Sequence, residues 1–242
     1  MLKINPWFLF SLLFLLLWAV IFLLKSSLRK EMLWGSILTA PFGLTEPLFV
    51  PEYWNPPSLF NLAAKTGFDI ESIIFCFSIG GIGVILYEFF FKVKHKKISK
   101  HEKHNRKHKF HLFVLISPII AFLILSLIKL NPIYSASIAM FIGGITTLYC
   151  RADLKKKIVV GGLLFLGLYF LFFLIFNITY PEIVLEIWNL KAISGILILR
   201  IPLEELMFAF TFGMLWSSYY EHINWYKLER KALNSHMHYI YI

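Results

Sequence analysis

Two adjacent glutamates, Glu204 and Glu205, lie four and five residues after Arg200, late in the chain. The apolar run that follows, 206–219, would cover only about 21 Å as a helix, which is less than the hydrocarbon core of roughly 30 Å. We therefore predict that this helix begins earlier, near Ala192. That start would place all three ionisable groups inside the membrane or at its edge, where such groups are costly and indicate a functional site.

A glutamic acid in a water-poor cavity tends to keep its proton, because burial disfavours the charged form, and it can then serve as a general acid. The chain has 25 Phe, 11 Tyr and 7 Trp, and aromatic faces attract cations. The pattern suits proton-initiated chemistry on an apolar polyene. A structural alternative stays open, in which Arg200 and Glu204 neutralise each other on one helix face and Glu205 pairs with another helix.

The composition predicts the elements that must position these groups. Of the 242 residues, 58% are hydrophobic and 16% are charged, whereas a soluble domain has roughly 25% charged residues. The apolar residues fall in blocks wide enough to cross a bilayer as helices. We predict an all-α integral membrane protein of about seven transmembrane helices, at 7–24, 33–50, 70–91, 112–130, 132–150, 158–178 and 192–219.

The charge distribution predicts the orientation. The net charge is +10, and nine of the 24 Lys and Arg residues fall between Lys92 and Lys109. Because cytoplasmic loops retain positive charge, we predict a multi-pass plasma-membrane protein with its N-terminus outside and its C-terminus in the cytoplasm.

We interpret the basic loop at 92–111 as a solvated segment near anionic lipid. We expect neither a nucleic acid nor a metal as its partner, although it contains His95, His101, His104, His108 and His111.

An internal repeat organises the chain. TEPLFVPEYWN (45–55) matches TYPEIVLEIWN (179–189) at six of eleven positions, and the following helices also align. We predict one membrane domain, 1–242, in which repeat one (1–91) and repeat two (131–224) are parallel. They are joined by a basic loop (92–111) and a connecting helix (112–130), and a cytoplasmic tail (225–242) follows. The equivalent pairs include Trp54 and Trp188, Glu71 and Glu204, and Glu88 and Glu221, the last pair being predicted interface anchors.

Several functions are excluded by what the sequence lacks. It contains no GxGxxG and no GxxxxGK[ST] motif, so no nucleotide site is indicated. Its two aspartates, Asp69 and Asp153, cannot form an aspartate-rich diphosphate–magnesium motif. No lysine follows Lys191 in the last predicted span, which argues against a retinal Schiff base. We expect no cofactor and no metal.

The pattern resembles the lycopene cyclase domain family, whose small membrane proteins occur as bacterial heterodimers and archaeal fusions. That family has an acidic residue, then a Trp, then a PLEE-type motif that opens an aromatic-rich helix. Repeat two supplies Trp188, PLEE at 202–205 and Phe208. Repeat one supplies Glu46, Trp54, a weaker DIES at 69–72 and Phe75, while Tyr180 replaces the acidic residue in repeat two.

The resemblance implies cyclisation of the ψ end of lycopene, or of a similar carotene taken from the bilayer lipid, to a β or ε ring without net redox change. It implies catalytic roles for Glu204, Glu205 and Glu71, and a substrate-binding role for Trp188, Trp54, Phe208, Phe75, Arg200 and Glu46. A homo-oligomer is left open. The alternatives are a transporter or channel framed by the repeats and a non-catalytic membrane assembly protein.

Overall fold

The protein is an α-helical bundle, described by a computed structural model over residues 5–91 and 93–230. The helices are α1 (Pro6–Leu24), α2 (Arg29–Thr39), α3 (Leu62–Thr66), α4 (Ile70–Phe91), α5 (Lys100–Lys103), α6 (His111–Ser126), α7 (Pro132–Cys150), α8 (Lys155–Thr179), α9 (Ile183–Ile187) and α10 (Leu203–Asn224). The strands are β1 (Val93–Lys97), β2 (Leu197–Ile198), β3 (Ile201–Pro202) and β4 (Tyr226–Arg230). Short 3-10 helices cover Ser26–Leu28, Ala40–Leu48, Leu59–Asn61, Arg106–His108 and Ala152–Leu154.

Among the described residues, five helical stretches are long and apolar enough to cross a membrane: Pro6–Leu24, Ile70–Phe91, Arg106–Ser126, Pro132–Cys150 and Ala152–Thr179. The predicted spans at 70–91 and 132–150 coincide with α4 and α7. The predicted spans at 33–50 and 192–219 are not among these five stretches. The first contains α2, which has only 11 residues. The second contains α10, whose second half carries serine, glutamate and histidine side chains. Seven crossings therefore stay a prediction.

The boundaries of the second and seventh predicted spans need correction. The block at 33–50 is not one α-helix, because α2 ends at Thr39 and a 3-10 helix containing Pro47 follows; proline lacks the N–H of an α-helical hydrogen bond. A helix that begins near Ala192 is also wrong. Strands β2 and β3 occupy part of that segment, and α10 begins only at Leu203, after Pro202. Arg200 and Glu204 therefore do not share a helix face.

The two ends of the bundle are closed differently. At the end that contains Trp54 and Trp188, the Asn55 N–H donates to the Ile187 carbonyl (2.8 Å) and the Asn189 N–H to the Tyr53 carbonyl (2.9 Å). We call this the tryptophan end. At the opposite end, which we call the lysine end after the buried side chain of Lys157, β1 pairs antiparallel with β4. The basic loop is thus partly ordered by the tail, whose residues after 230 lie outside the described residues.

Helix α10 lies at the centre of the bundle and packs closely on α8 because glycines meet there. A Cβ on Gly213 would lie 2.7 Å from the Phe165 Cβ and 2.8 Å from the Gly161 carbonyl oxygen. A Cβ on Gly167, which is also in α8, would meet nothing within 4 Å. The close contact thus depends on particular glycines.

Gly213→Ala should lower the free energy of unfolding by about 1–3 kcal/mol, because the added methyl overpacks a contact formed partly by backbone. Gly167→Ala is the matched control and should be neutral or slightly stabilising, because alanine favours helix. Thermal unfolding of the two purified variants checks this. Equal melting temperatures would contradict the packing described for Gly213.

Candidate active site

The Glu205 carboxyl is the centre of a hydrogen-bonded group buried at the tryptophan end. Oε1 accepts from the Tyr53 hydroxyl (2.5 Å) and from the Trp188 Nε1–H (2.8 Å), and Oε2 accepts from the Tyr169 hydroxyl (2.6 Å). Glu205 is 5% exposed. Its donors are all neutral, and none of the ion pairs among the described residues includes it. The arrangement holds a carboxyl in place without supplying a countercharge.

Beside Glu205 is an apolar cavity of about 570 Å³. It is lined by α10 from Glu205 to Ile223, a distance of about 27 Å along the helix axis. Leu38 and Ile119 also line it and are 41% and 54% exposed, so the cavity reaches the outer surface between α2 and α6. Its aromatic walls include Trp7, Phe10, Phe42, Phe49, Tyr53, Trp54, Phe75, Phe122, Tyr169, Phe173, Trp188, Phe208, Phe212, Trp216 and Tyr219.

The structure divides the residues that the sequence selected into two groups. Those that line this cavity are Glu205, Glu46, Trp188, Trp54, Phe208 and Phe75. Glu204, Glu71 and Arg200 do not line it. Arg200 is exposed, has a φ of 65° and donates from Nη1 to the Pro181 carbonyl (3.3 Å).

Glu204 and Glu71 instead bind the backbone that precedes their own helices: Glu204 the segment before α10, and Glu71 the segment before α4. Glu204 Oε1 accepts from the Ser194 N–H (2.9 Å) and from the Tyr134 hydroxyl (2.5 Å). Glu71 Oε1 accepts from the Leu59 N–H at 2.6 Å. Both glutamates therefore make a backbone contact of the same kind, which fits a positioning role better than contact with a ligand.

Tyr53 and Tyr169 are site residues that the sequence analysis missed. Tyr53 comes directly before Trp54, within the repeated segment. That position could have indicated a site residue from the sequence alone. Tyr169 lies in a continuous apolar block with no nearby polar pattern. Only the packing of α8 against α10 shows that its hydroxyl reaches Glu205.

A comparison with protein families identifies the family to which the chain belongs. The lycopene cyclase family profile matches residues 5–90 and 131–223. The chain belongs to the lycopene cyclase family. Searches of curated proteins and of solved structures gave no match. Family membership together with the apolar helices identifies a carotenoid cyclase of membrane type, and both matched segments contribute walls and carboxyls to the cavity.

A second polar cluster lies at the lysine end of this cyclase. The Lys157 ammonium contacts Glu88 (2.5 Å), Glu221 (2.6 Å) and Glu31 (3.6 Å), and His95 Nε2 lies 2.5 Å from Glu221. The three carboxylates and the lysine are all buried. The prediction that Glu88 and Glu221 anchor the chain at the interface is therefore wrong; they are internal partners of a lysine.

Within the part of the chain that the structure describes, two groups of side chains are close enough to hold a metal ion. In one, Cys150 Sγ lies 3.3 Å from His108 Nδ1 and 3.5 Å from His111 Nδ1. The fold thus places a cysteine beside the histidines of the basic loop, although the cysteine is distant in sequence. The other consists of Glu31, Glu88, His95 and Glu221. Lys157 already supplies positive charge to that second group.

Lys157→Met should lower the free energy of unfolding by about 3–5 kcal/mol, because it leaves buried carboxylates without a cation. Lys155→Met removes the same charge from an exposed position of α8 and should have little effect. Thermal unfolding in matched detergent compares the two. Equal destabilisation, or none in either variant, would contradict the buried role of Lys157.

Proposed function

We propose that this protein cyclises the ψ end of lycopene, or of a similar linear carotene, and that Glu205 is the general acid. The observation that carries the proposal is the position of Glu205: it is a buried carboxyl, has no cationic partner among the residues that the structure describes, and lines an aromatic cavity that extends about 27 Å along α10. A cavity of that shape suits a long apolar polyene, and its opening between α2 and α6 would admit the polyene from lipid.

The reaction balances without an oxidant or reductant. Glu205 donates its proton to the terminal double bond and leaves a tertiary carbocation on the substrate. The next double bond attacks that cation, which forms the ring bond and moves the positive charge onto a ring carbon. A carboxylate then removes a neighbouring proton, and the position that loses it decides between a β and an ε ring. One proton is added and one is lost, so the product is an isomer of the substrate.

The donors around Glu205 suit this cycle. A tyrosine hydroxyl can both donate and accept, so Tyr53 and Tyr169 can contact either the protonated or the ionised carboxyl. After Glu205 loses its proton, hydrogen bonds to the carboxylate become charge-assisted and stronger. The faces of Trp188, Phe208 and other rings can stabilise the carbocation, and the exclusion of water protects it from hydration.

We further propose that the chain crosses the plasma membrane seven times as two parallel repeats, with the tryptophan end outside. The reciprocal hydrogen bonds between 53–55 and 187–189 are those expected of two related units that face each other. The matching backbone contacts of Glu71 and Glu204 support the same relation. The basic strand β1 and Lys155 lie at the lysine end, which favours the cytoplasm for that end.

Expression in a lycopene-accumulating bacterium should yield cyclic carotenes, and Glu205→Gln should abolish them, because an amide cannot supply the proton. Glu204→Gln is the matched control: it changes the neighbouring residue in the same way but leaves the cavity acid, so ring formation should persist. Pigment chromatography gives the readout, and an immunoblot of the membrane fraction shows that each variant is inserted.

The outcome separates enzyme from non-enzyme. If inserted wild-type protein leaves lycopene unchanged, a transporter or an assembly role replaces the proposal. If Glu205→Gln still produces rings while Glu204→Gln does not, the acid has been assigned to the wrong glutamate.

A further inference from the structure

A second, larger cavity lies at the tryptophan end. It is a depression of about 1130 Å³ whose lining includes Asn5, Asn55, Ser58, Glu182 and Glu186. Polar side chains and its place at the end of the bundle make it accessible to water. The depression adjoins the apolar cavity beside Glu205, because one residue lines both.

Glu46 is that residue, at the boundary between the two cavities. Among the described residues it is the one that lines both the depression and the apolar cavity. It is 6% exposed, and its Oε2 accepts a hydrogen bond from the Ser72 hydroxyl. Its Oε1 has no hydrogen-bond partner within residues 5–91 and 93–230. A buried polar atom without a partner is unfavourable, so an oxygen left in this state at a boundary between two cavities calls for a functional explanation.

The neighbourhood of Glu46 favours protons as the species it handles. Asp69 and Glu71 are both fully buried nearby, and Asp69 Oδ1 accepts from the Ser72 N–H at 2.5 Å. None of the ion pairs among the described residues involves these three carboxyls. Because an isolated buried charge is strongly unfavourable, such a group is neutralised by protons when no cation is present.

We propose that Glu46 is the point at which protons pass between the aqueous depression and the apolar cavity. This inference rests on the proposed cyclisation and extends it. After Glu205 has protonated the substrate, neutral Glu46 passes its own proton to the Glu205 carboxylate. Glu46, now a carboxylate, then accepts the proton that the cyclised cation loses and exchanges it with water in the depression. Over one turnover one proton leaves and one enters, so the reaction remains an isomerisation. Without Glu46, Glu205 would itself have to take back the proton that the cyclised cation loses, and no solvent proton would enter the ring.

The test uses the full chain in liposomes that contain lycopene, suspended in heavy water. Wild-type protein should place a solvent deuteron in each ring it forms. Glu46→Gln retains the shape of the side chain and an oxygen for Ser72 but cannot pass protons. Its ring formation should fall at least tenfold, and the rings formed should carry mostly protium. Glu186→Gln removes a carboxyl from the same depression, away from the apolar cavity, and should match wild type. Mass spectrometry of the products gives the deuterium content.

The possible results separate this inference from the proposed function. If wild-type protein forms no rings, the cyclisation itself fails. If wild-type protein forms rings and Glu46→Gln forms them equally fast with the same deuterium content, only the role of Glu46 fails. If a thermal unfolding transition shows that Glu46→Gln is folded although it forms no rings, Glu46→Asp decides. Recovered rings that contain deuterium support proton transfer through Glu46, and no recovery overturns the inference.

Discussion

The burial of one carboxyl among neutral donors is the interaction on which the rest of this structure depends. A glutamate in an apolar interior is tolerable only if its oxygens are hydrogen-bonded, and Glu205 obtains those bonds from three different parts of the chain: Tyr53, Tyr169 and Trp188. To deliver them, α8 must pack tightly on α10, and the loop segments around residues 54 and 188 must pair across the bundle. The fold positions the acid, and the acid in turn ties these segments together.

The two ends of the bundle use buried acidic groups in opposite ways. At the lysine end, Glu31, Glu88 and Glu221 surround the Lys157 ammonium, so one buried cation contacts all three carboxyls and the cluster is suited to holding helices together. At the tryptophan end, the carboxyls lack a cation within the described residues. A carboxyl beside a cation favours its charged form and is a poor proton donor, whereas a carboxyl without a cation in an apolar setting favours its neutral form. This contrast separates the structural glutamates from those suited to chemistry.

The sequence predicted the helices with the strongest apolar blocks and the motif that contains Glu205, because both depend on local composition and spacing. It could not distinguish Glu205 from Glu204, since adjacent residues on a helix differ in direction by about 100° and only the packing shows which one meets the cavity. It placed the start of α10 too early, because the apolar residues of 192–202 resemble helix until the strands β2 and β3 are seen. The contact between Glu31 and Lys157 could not be predicted from the sequence, because it joins α2 to α8 across more than a hundred residues.

The protonation state of Glu205 in the folded protein tests the central claim most directly. Infrared difference spectra of wild-type protein against Glu205→Gln, recorded at neutral pH in membranes, would show the carbonyl stretch of a protonated carboxylic acid that shifts when water is exchanged for heavy water. The account predicts that band and its loss in the variant. A difference spectrum that contained only carboxylate bands at neutral pH would mean that Glu205 is ionised at rest, and it could not then start a cyclisation.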